Sequence, residues 1–466
     1  VRPYEVGLLV VAALAVIWPA LFGVRSRRGI AFLVLCGALA AQLAIEGYRW
    51  QLLPLLITAA AMAVGDLFSQ DRVLPWWRRA SRPLLGLVGL AMMAAPLVAL
   101  PVPRLPPTGG PLSVGTTSVE LVFPDRMEPY GPQPDTVPRR IMAQVWYPAE
   151  PAHEEATTWN PDLDVVGPAL ARRLGFPSFF FDHTRYVTAH SVQGGAPLEG
   201  TFPVVIYSHG WGGFRTVALN QVETLASSGY VVIAPDHTYA AVVTRFPDGE
   251  VVELDPNALP EESSVDPETY ARAAQKLTRN LADDLVGIMD ALAEGSDGPF
   301  GAVAVHADVG RIGLYGHSTG GGAAVWACLG DERCKAVLGM DPWVEPVPDR
   351  QMADPAGSPM LFMRSDQWRG NDNDGRLRGL AERSETVTYW LGIEGAGHSD
   401  FVVTPLFSPI ADRLGLKGPI PTDRVVPIID RFLVGFFDVF LTGTGPAALN
   451  DASYPEVSLE IIDNRS

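Results

Sequence analysis

The stretch Arg311-Ile312-Gly313-Leu314-Tyr315-Gly316-His317-Ser318-Thr319-Gly320-Gly321-Gly322-Ala323-Ala324 decides how this chain is read. A short apolar run meets Gly-x-Ser-x-Gly and passes directly into small residues and helix formers. That order is strand, sharp turn and helix, with a serine at the turn. Such a turn holds the serine in a strained conformation and exposes its hydroxyl above the sheet edge. Gly316 and Gly320 fit because a side chain at either place would collide across the turn. The serine also stands at a helix N-terminus, where N–H groups and the helix dipole favour a developing negative charge. Ser318 is therefore the candidate nucleophile.

A serine nucleophile needs a base, a group to orient the base, and donors for an oxyanion. In strand–turn–helix sites of this kind the chain order is Ser, acid, His. Of eight histidines, only His398 follows Ser318, in Gly395-Ala396-Gly397-His398-Ser399-Asp400. It lies just past the last expected strand of the core, where a base can reach back over the sheet. Two acids end strands at the same edge: Asp341 in Met340-Asp341-Pro342-Trp343, and Asp366 in Arg364-Ser365-Asp366-Gln367. Spacing leaves both open. Upstream, Ser208-His209-Gly210-Trp211-Gly212-Gly213 is a His-Gly-x-Gly-Gly turn after an early strand. Its glycines let a backbone N–H, that of Trp211, point at a reacting oxygen. The N–H of Thr319 is the second candidate donor. The expected chemistry is attack on an ester through an acyl-enzyme, with no metal and no organic cofactor.

Residues from about 118 to 442 resemble the plasma-type platelet-activating-factor acetylhydrolase family, in its bacterial branch. The matching stretches are Val145–Ala149, Tyr207–Thr216, Gly316–Gly321, Leu338–Trp343 and Gly397–Phe401. The resemblance implies an α/β-hydrolase fold and a Ser, Asp, His set with the Asp on the strand after the elbow helix, hence Asp341 over Asp366. It implies calcium-independent hydrolysis of short or oxidised acyl chains on phospholipids or simpler esters. Thr319 departs from the family, which often has Phe there, so the acyl pocket is expected to differ. Competing readings are an acyltransferase using the same site, a polyester or small-ester hydrolase, and a non-catalytic membrane receptor on a hydrolase fold.

Strands are expected at Ser118–Phe123, Ile141–Tyr147, Phe202–Ser208, Tyr230–Ala234, Ala336–Met340, Met360–Arg364 and Thr386–Gly392. Helices are expected near Thr216–Ser227, Tyr270–Ala293 and Arg424–Leu441, with residues 151–200 irregular. Strands alternating with helices give an α/β fold, a mostly parallel sheet covered on both faces. The domains expected are a helical transmembrane region at 1–100, a Pro/Gly-rich linker at 101–116, a catalytic domain at 117–445 and a tail at 446–466.

The front of the chain is different in kind. Tyr4–Val24, Gly29–Ile45, Trp50–Gly65 and Pro83–Leu100 are four apolar segments, read as four membrane helices. Arg25, Arg27 and Arg28 lie between the first two, and Arg72, Arg78, Arg79 and Arg82 between the last two, beside Trp76 and Trp77. The positive-inside rule then puts those loops in the cytoplasm and the catalytic domain on the extracytoplasmic side of the bilayer. Residues 1–110 hold ten Arg, no Lys and four acids, a balance of +6 against −17 for the whole chain. The remainder is so acidic that nucleic acid is excluded as a partner. Outside the cytoplasm, Cys328 and Cys334 could form a bridge, while Cys36 packs in an apolar segment.

Several other features are read as structural. His209 and His317 shape turns, and Asp236 and His237 form a turn after a strand. Asn371-Asp372-Asn373-Asp374-Gly375 lacks the first and last ligands of a calcium loop and is read as a solvated turn. The run Phe179-Phe180-Phe181 is read as a rim that touches lipid acyl chains.

Overall fold

In the computed structural model the strands are β1 Ser113–Met127, β2 Pro138–Ala149, β3 Val192–Gln193, β4 Phe202–Ser208, β5 Val231–Asp236, β6 Val243–Arg245, β7 Val251–Glu253, β8 Ala307–His317, β9 Cys334–Met340, β10 Met360–Arg364, β11 Thr388–Ile393 and β12 Val457–Ile462. The structure describes residues 1–22, 28–57, 88–92, 94–151, 156–354, 356–445, 449 and 454–464. One 10-stranded sheet runs in the order β12-β11-β10-β9-β8-β4-β5-β2-β1-β3, and β6 and β7 form a separate hairpin. β4, β5 and β8 to β11 pair in parallel, whereas β2 is antiparallel to β5 and β12 to β11.

The central strands are apolar on both faces because both are covered. Val204 and Ile206 of β4 pack with Leu277, Leu281, Leu285 and Ile288 of the long helix Pro267–Ala293. Val205 and Tyr207, pointing the other way, pack with Leu219, Val222 and Leu225 of helix Leu219–Ser227 and with Ile429 and Phe432 of helix Thr422–Phe437. The chain leaves β4 for β5 on one side and returns through the long helix to β8 on the other. The strand order reverses there, and the carboxyl ends of strands at such a switch are the usual place for a ligand in sheets of this kind.

Several expectations change. The stretch 151–200 contains helix Leu163–Arg173, and the segment between β5 and the long helix contains the β6–β7 hairpin. Asn371 is a helix N-cap: its side chain accepts from the N–H of Asp374 at the start of helix Asp372–Arg383, which explains the run of short polar residues. The expected tail supplies β12, an edge strand in register with β11 from Ile462–Thr388 to Val457–Ile393. β1 begins at Ser113, inside the expected linker. Cys328 and Cys334 are bridged, with Cα atoms 5.2 Å apart, tying the end of helix Thr319–Gly330 to the start of β9.

The four expected membrane helices are not borne out among the described residues. Helices occur at Pro3–Phe22 and Arg28–Glu46, but among the described residues no helix is long and apolar enough to cross a membrane. The second helix carries Gln42 and Glu46 in its last turns. The pair is antiparallel, since the N–H of Tyr4 donates to Glu46 Oε1 at 2.8 Å. Its closed end is ionic: Glu5 and Arg49 meet at 2.6 Å with both side chains fully buried. The second half of the third apolar segment, the start of the fourth, Arg25, Arg27 and the Arg72–Arg82 loop with Trp76 and Trp77 lie outside the described residues.

Candidate active site

Ser318 has φ 57° and ψ −125°, a left-handed conformation for a residue with a side chain. The surroundings over-determine it. Its N–H donates to Met340 O at 3.0 Å, and its carbonyl accepts from the N–H groups of Gly322 and Trp343 at 3.0 and 2.9 Å. The glycines are required by close approach. A Cβ at Gly316 would lie 2.4 Å from the carbonyl oxygen of Gly320, and one at Gly320 would lie 2.3 Å from that of Ser208. Strand register thus brings the end of β4 against the Ser318 turn, with Ser208 opposite Gly316.

The two candidate acids separate clearly. Asp341 also has a positive φ, 43°, which turns its fully buried side chain toward the His398 loop. Its Oδ2 accepts from His398 Nδ1–H at 3.0 Å and from Ser365 Oγ–H at 2.6 Å, and its Oδ1 accepts from the Ser365 N–H at 2.8 Å. Asp366 points elsewhere: it accepts from the N–H of Gly395 and faces Arg369 at 3.3 Å.

The His398 ring is held from both sides. Trp368 stacks on it nearly parallel, at 4.8 Å and 9°, and His317 lies at 4.3 Å on the ring. His317 Nε2–H donates to the carbonyl of His398 at 2.9 Å. Burial first, and the neighbouring His398 second, push the His317 pKa well down, so that ring stays neutral. With a side chain 28% exposed, His398 keeps an open edge.

The Gly-rich turn after β4 abuts the serine. A Cβ at Gly210 would lie 3.1 Å from Ser318 Cβ. Gly212, at φ 72°, donates to Ala240 O, and Gly213 donates to Gly210 O, both at 2.8 Å. Those two N–H groups are committed, and that of Trp211 lies between them and Gly210. Thr319 is the first residue of the elbow helix, so its N–H has no acceptor within the helix. The guanidinium of Arg173 lies over the Trp211 ring at 5.8 Å.

The aromatic run packs against the N-terminal unit rather than standing free. Trp50 meets Phe179 and Phe180 at 5.7 and 5.6 Å and donates from Nε1 to Phe180 O. Phe179 remains 47% exposed. Sequence reasoning missed Ser365 and Trp368, although both flank Asp366 in a loop already singled out. It also passed over Asp284, an acid on the apolar stripe of the long helix between Leu281 and Leu285.

A parallel sheet with this turn at its carboxyl edge, and an imidazole backed by a buried carboxylate, defines an ester-bond hydrolase of the α/β-hydrolase class. Its relatives narrow the class. The chain belongs to the family described as platelet-activating factor acetylhydrolase, isoform II, whose model matches residues 100–280 and 300–442. It is 26% identical over 376 residues to a platelet-activating factor acetylhydrolase of Canis lupus familiaris, covering 75% of this chain and 80% of that one. It is 24% identical to a probable 1-alkyl-2-acetylglycerophosphocholine esterase of Arthroderma benhamiae, over 76% of this chain and 92% of the relative. Among solved structures it is similar to a ferulic acid esterase from Streptomyces cinnamoneus, with a TM-score of 0.63, 26% identity, and coverage of 77% of this chain and 99% of that one.

Proposed function

We propose that the protein hydrolyses esters of short or oxidised acyl chains, on phospholipids or simpler alcohols, through a Ser318–His398–Asp341 triad. His398 takes the proton of Ser318 as the hydroxyl attacks the ester carbonyl. Asp341 fixes the Nδ1–H tautomer and compensates the imidazolium that forms. The N–H groups of Trp211 and Thr319 receive the oxyanion; losing one such donor typically costs about 10²–10³ in turnover. His398 then returns the proton to the leaving alcohol and activates the water that releases the acid.

The observation that carries this reading is the pairing of His398 Nδ1 with a buried Asp341, 3.0 Å apart, with the ring of His317, the neighbour of the left-handed Ser318, 4.3 Å from the same imidazole. The names of the relatives favour an acetyl-like chain on a glycerophospholipid. The solved neighbour favours a second reading, a small aromatic or alkyl ester. A panel of nitrophenyl esters and of 2-acyl phosphocholines with graded acyl length separates them. The account predicts fast turnover of acetyl and propionyl chains, a steep fall with length, and none in Ser318→Ala. Flat or rising activity with chain length would overturn the short-chain part. Added alcohol acceptors should raise total turnover little; dominant transfer products would favour the acyltransferase.

The location of this domain outside the cytoplasm, against a membrane, belongs to the same proposal. The Cys328–Cys334 bridge supports an oxidising compartment. Val6, Val10 and Leu14 on one helix and Leu33, Val34 and Ile45 on the other are exposed, an apolar surface suited to lipid. Protease added to intact cells should cut within residues 111–466; a domain protected until lysis would contradict it.

A further inference from the structure

Behind the oxyanion turn lies a second Ser, His, Asp chain, and all three residues are buried: Ser208 and His237 and Asp284 are each 0% exposed. His237 Nδ1–H donates to Asp284 Oδ2 at 2.9 Å, and Ser208 Oγ lies 2.9 Å from His237 Nε2. Arg139 clamps Asp284 at 2.6 Å, and Arg126 meets it at 2.9 Å. Burial opposes ionisation of Asp284, but Arg139, the His237 hydrogen bond and Arg126 outweigh it and hold the carboxyl far below its usual range. His237 is pushed down by burial, so it is neutral and accepts the Ser208 hydroxyl proton at Nε2. Sealed from substrate, this chain cannot be a second reaction centre.

Its hydrogen bonds lead to the turn instead. The backbone N–H of His237 donates to His209 Nε2 at 3.1 Å. His209 must then carry its proton on Nδ1, which donates to Gly210 O at 2.8 Å. Burial and the adjacent His237 lower the His209 pKa to about 3, so this tautomer persists at any working pH. The same two loops are joined twice more, by Gly212 N–H to Ala240 O at 2.8 Å and by Val242 N–H to Gly213 O at 2.9 Å. The carbonyl of the Gly210–Trp211 peptide, and the peptides that follow it, are therefore held from behind.

We propose that His209, locked by His237, Asp284 and Ser208, is a positioning residue that fixes the Gly210–Trp211 peptide so that the Trp211 N–H faces the oxyanion. This rests on the reading of Trp211 as an oxyanion donor. A misaligned donor weakens the transition state more than the bound ester, so kcat falls while KM stays.

The test measures kcat per site titrated with a fluorophosphonate, KM, and the affinity of a trifluoromethyl ketone, which forms a tetrahedral adduct. His209→Ala should lower kcat per titrated site by about 10- to 100-fold, with KM within about twofold and the ketone weakened by the same factor as kcat. His209→Asn keeps a donor near the Nδ1 position and should recover most of the loss. Ser208→Ala removes one hydroxyl, should fold, and should lower kcat per site several-fold in the same pattern. Normal kcat per titrated site in the folded variants, or loss carried in KM, would overturn the proposal. Ser318→Ala keeps the two claims apart. Turnover surviving there refutes the parent reading, whereas turnover lost there and unchanged per site in the His209 and Ser208 variants refutes the positioning role alone.

Discussion

At the scale of the residue, the choice between Asp341 and Asp366 turns on what each carboxylate accepts. Asp341 receives three hydrogen bonds, from His398 Nδ1–H, Ser365 Oγ–H and Ser365 N–H, and has no exposure to water. An amide in its place could present an N–H to Nδ1 and favour the wrong tautomer, and it could not balance an imidazolium. Asp341→Asn is expected to lower kcat by about 10⁴, as loss of the orienting acid does in comparable triads. Asp366→Asn leaves the imidazole untouched and is expected to stay within about tenfold of the parent enzyme. Steady-state kinetics on one acetyl ester decides it, and a crippled Asp366→Asn with an active Asp341→Asn would reverse the assignment. The chain left these acids open because both end neighbouring strands in the same way; only the positive φ of Asp341 and the burial behind it separate them.

At the scale of the element, the Cys328–Cys334 bridge closes a short loop between the elbow helix and β9, the strand that leads to Asp341. A loop this short removes little chain entropy from the unfolded state, so the bridge should add less than the ~3 kcal/mol expected for a fifteen-residue loop. Thiol labelling of denatured, unreduced protein should modify Cys36 alone, and Cys328→Ser with Cys334→Ser should lower the unfolding midpoint modestly and leave the fold intact. Three labelled cysteines without reductant would remove the bridge. The elbow, the Gly-rich turn and the His398 loop were legible in the sequence because each packs its requirement into a few contiguous residues. Helix Leu163–Arg173 was not, because Gly167 and Pro168 interrupt its pattern. β12 was hidden by its separation from the strand it pairs with, and its inner and outer residues do not alternate cleanly. The Ser208–His237–Asp284 chain joins residues 29 and 47 positions apart, a distance over which no local pattern survives.

At the scale of the whole molecule, one acid offers a reading of how stability depends on pH. Asp430 lies on helix Thr422–Phe437, and its Oδ1 is buried with no hydrogen-bond partner among the described residues. Burial alone raises its pKa to about 8. The folded state therefore holds a proton that the unfolded chain releases above about pH 3.9, so this contribution to stability is full below that value and lost as pH rises through 8. Asp430→Asn carries no such proton. Its stability relative to the parent should climb between pH 5 and 8 by at most about 1.4 kcal/mol per pH unit, then level off. Urea unfolding at pH 5, 6.5 and 8 measures it, and a constant difference would contradict it. The same scale carries the central claim, that a single serine at the switch between β4 and β8 does the chemistry of a 466-residue chain. The most direct test is reaction of the purified full-length protein with a fluorophosphonate, followed by peptide mass mapping. The account predicts one adduct, on Ser318, formed in step with loss of ester hydrolysis and far more slowly in His398→Ala. An adduct on another residue, or hydrolysis that persists with Ser318 fully modified, would contradict it.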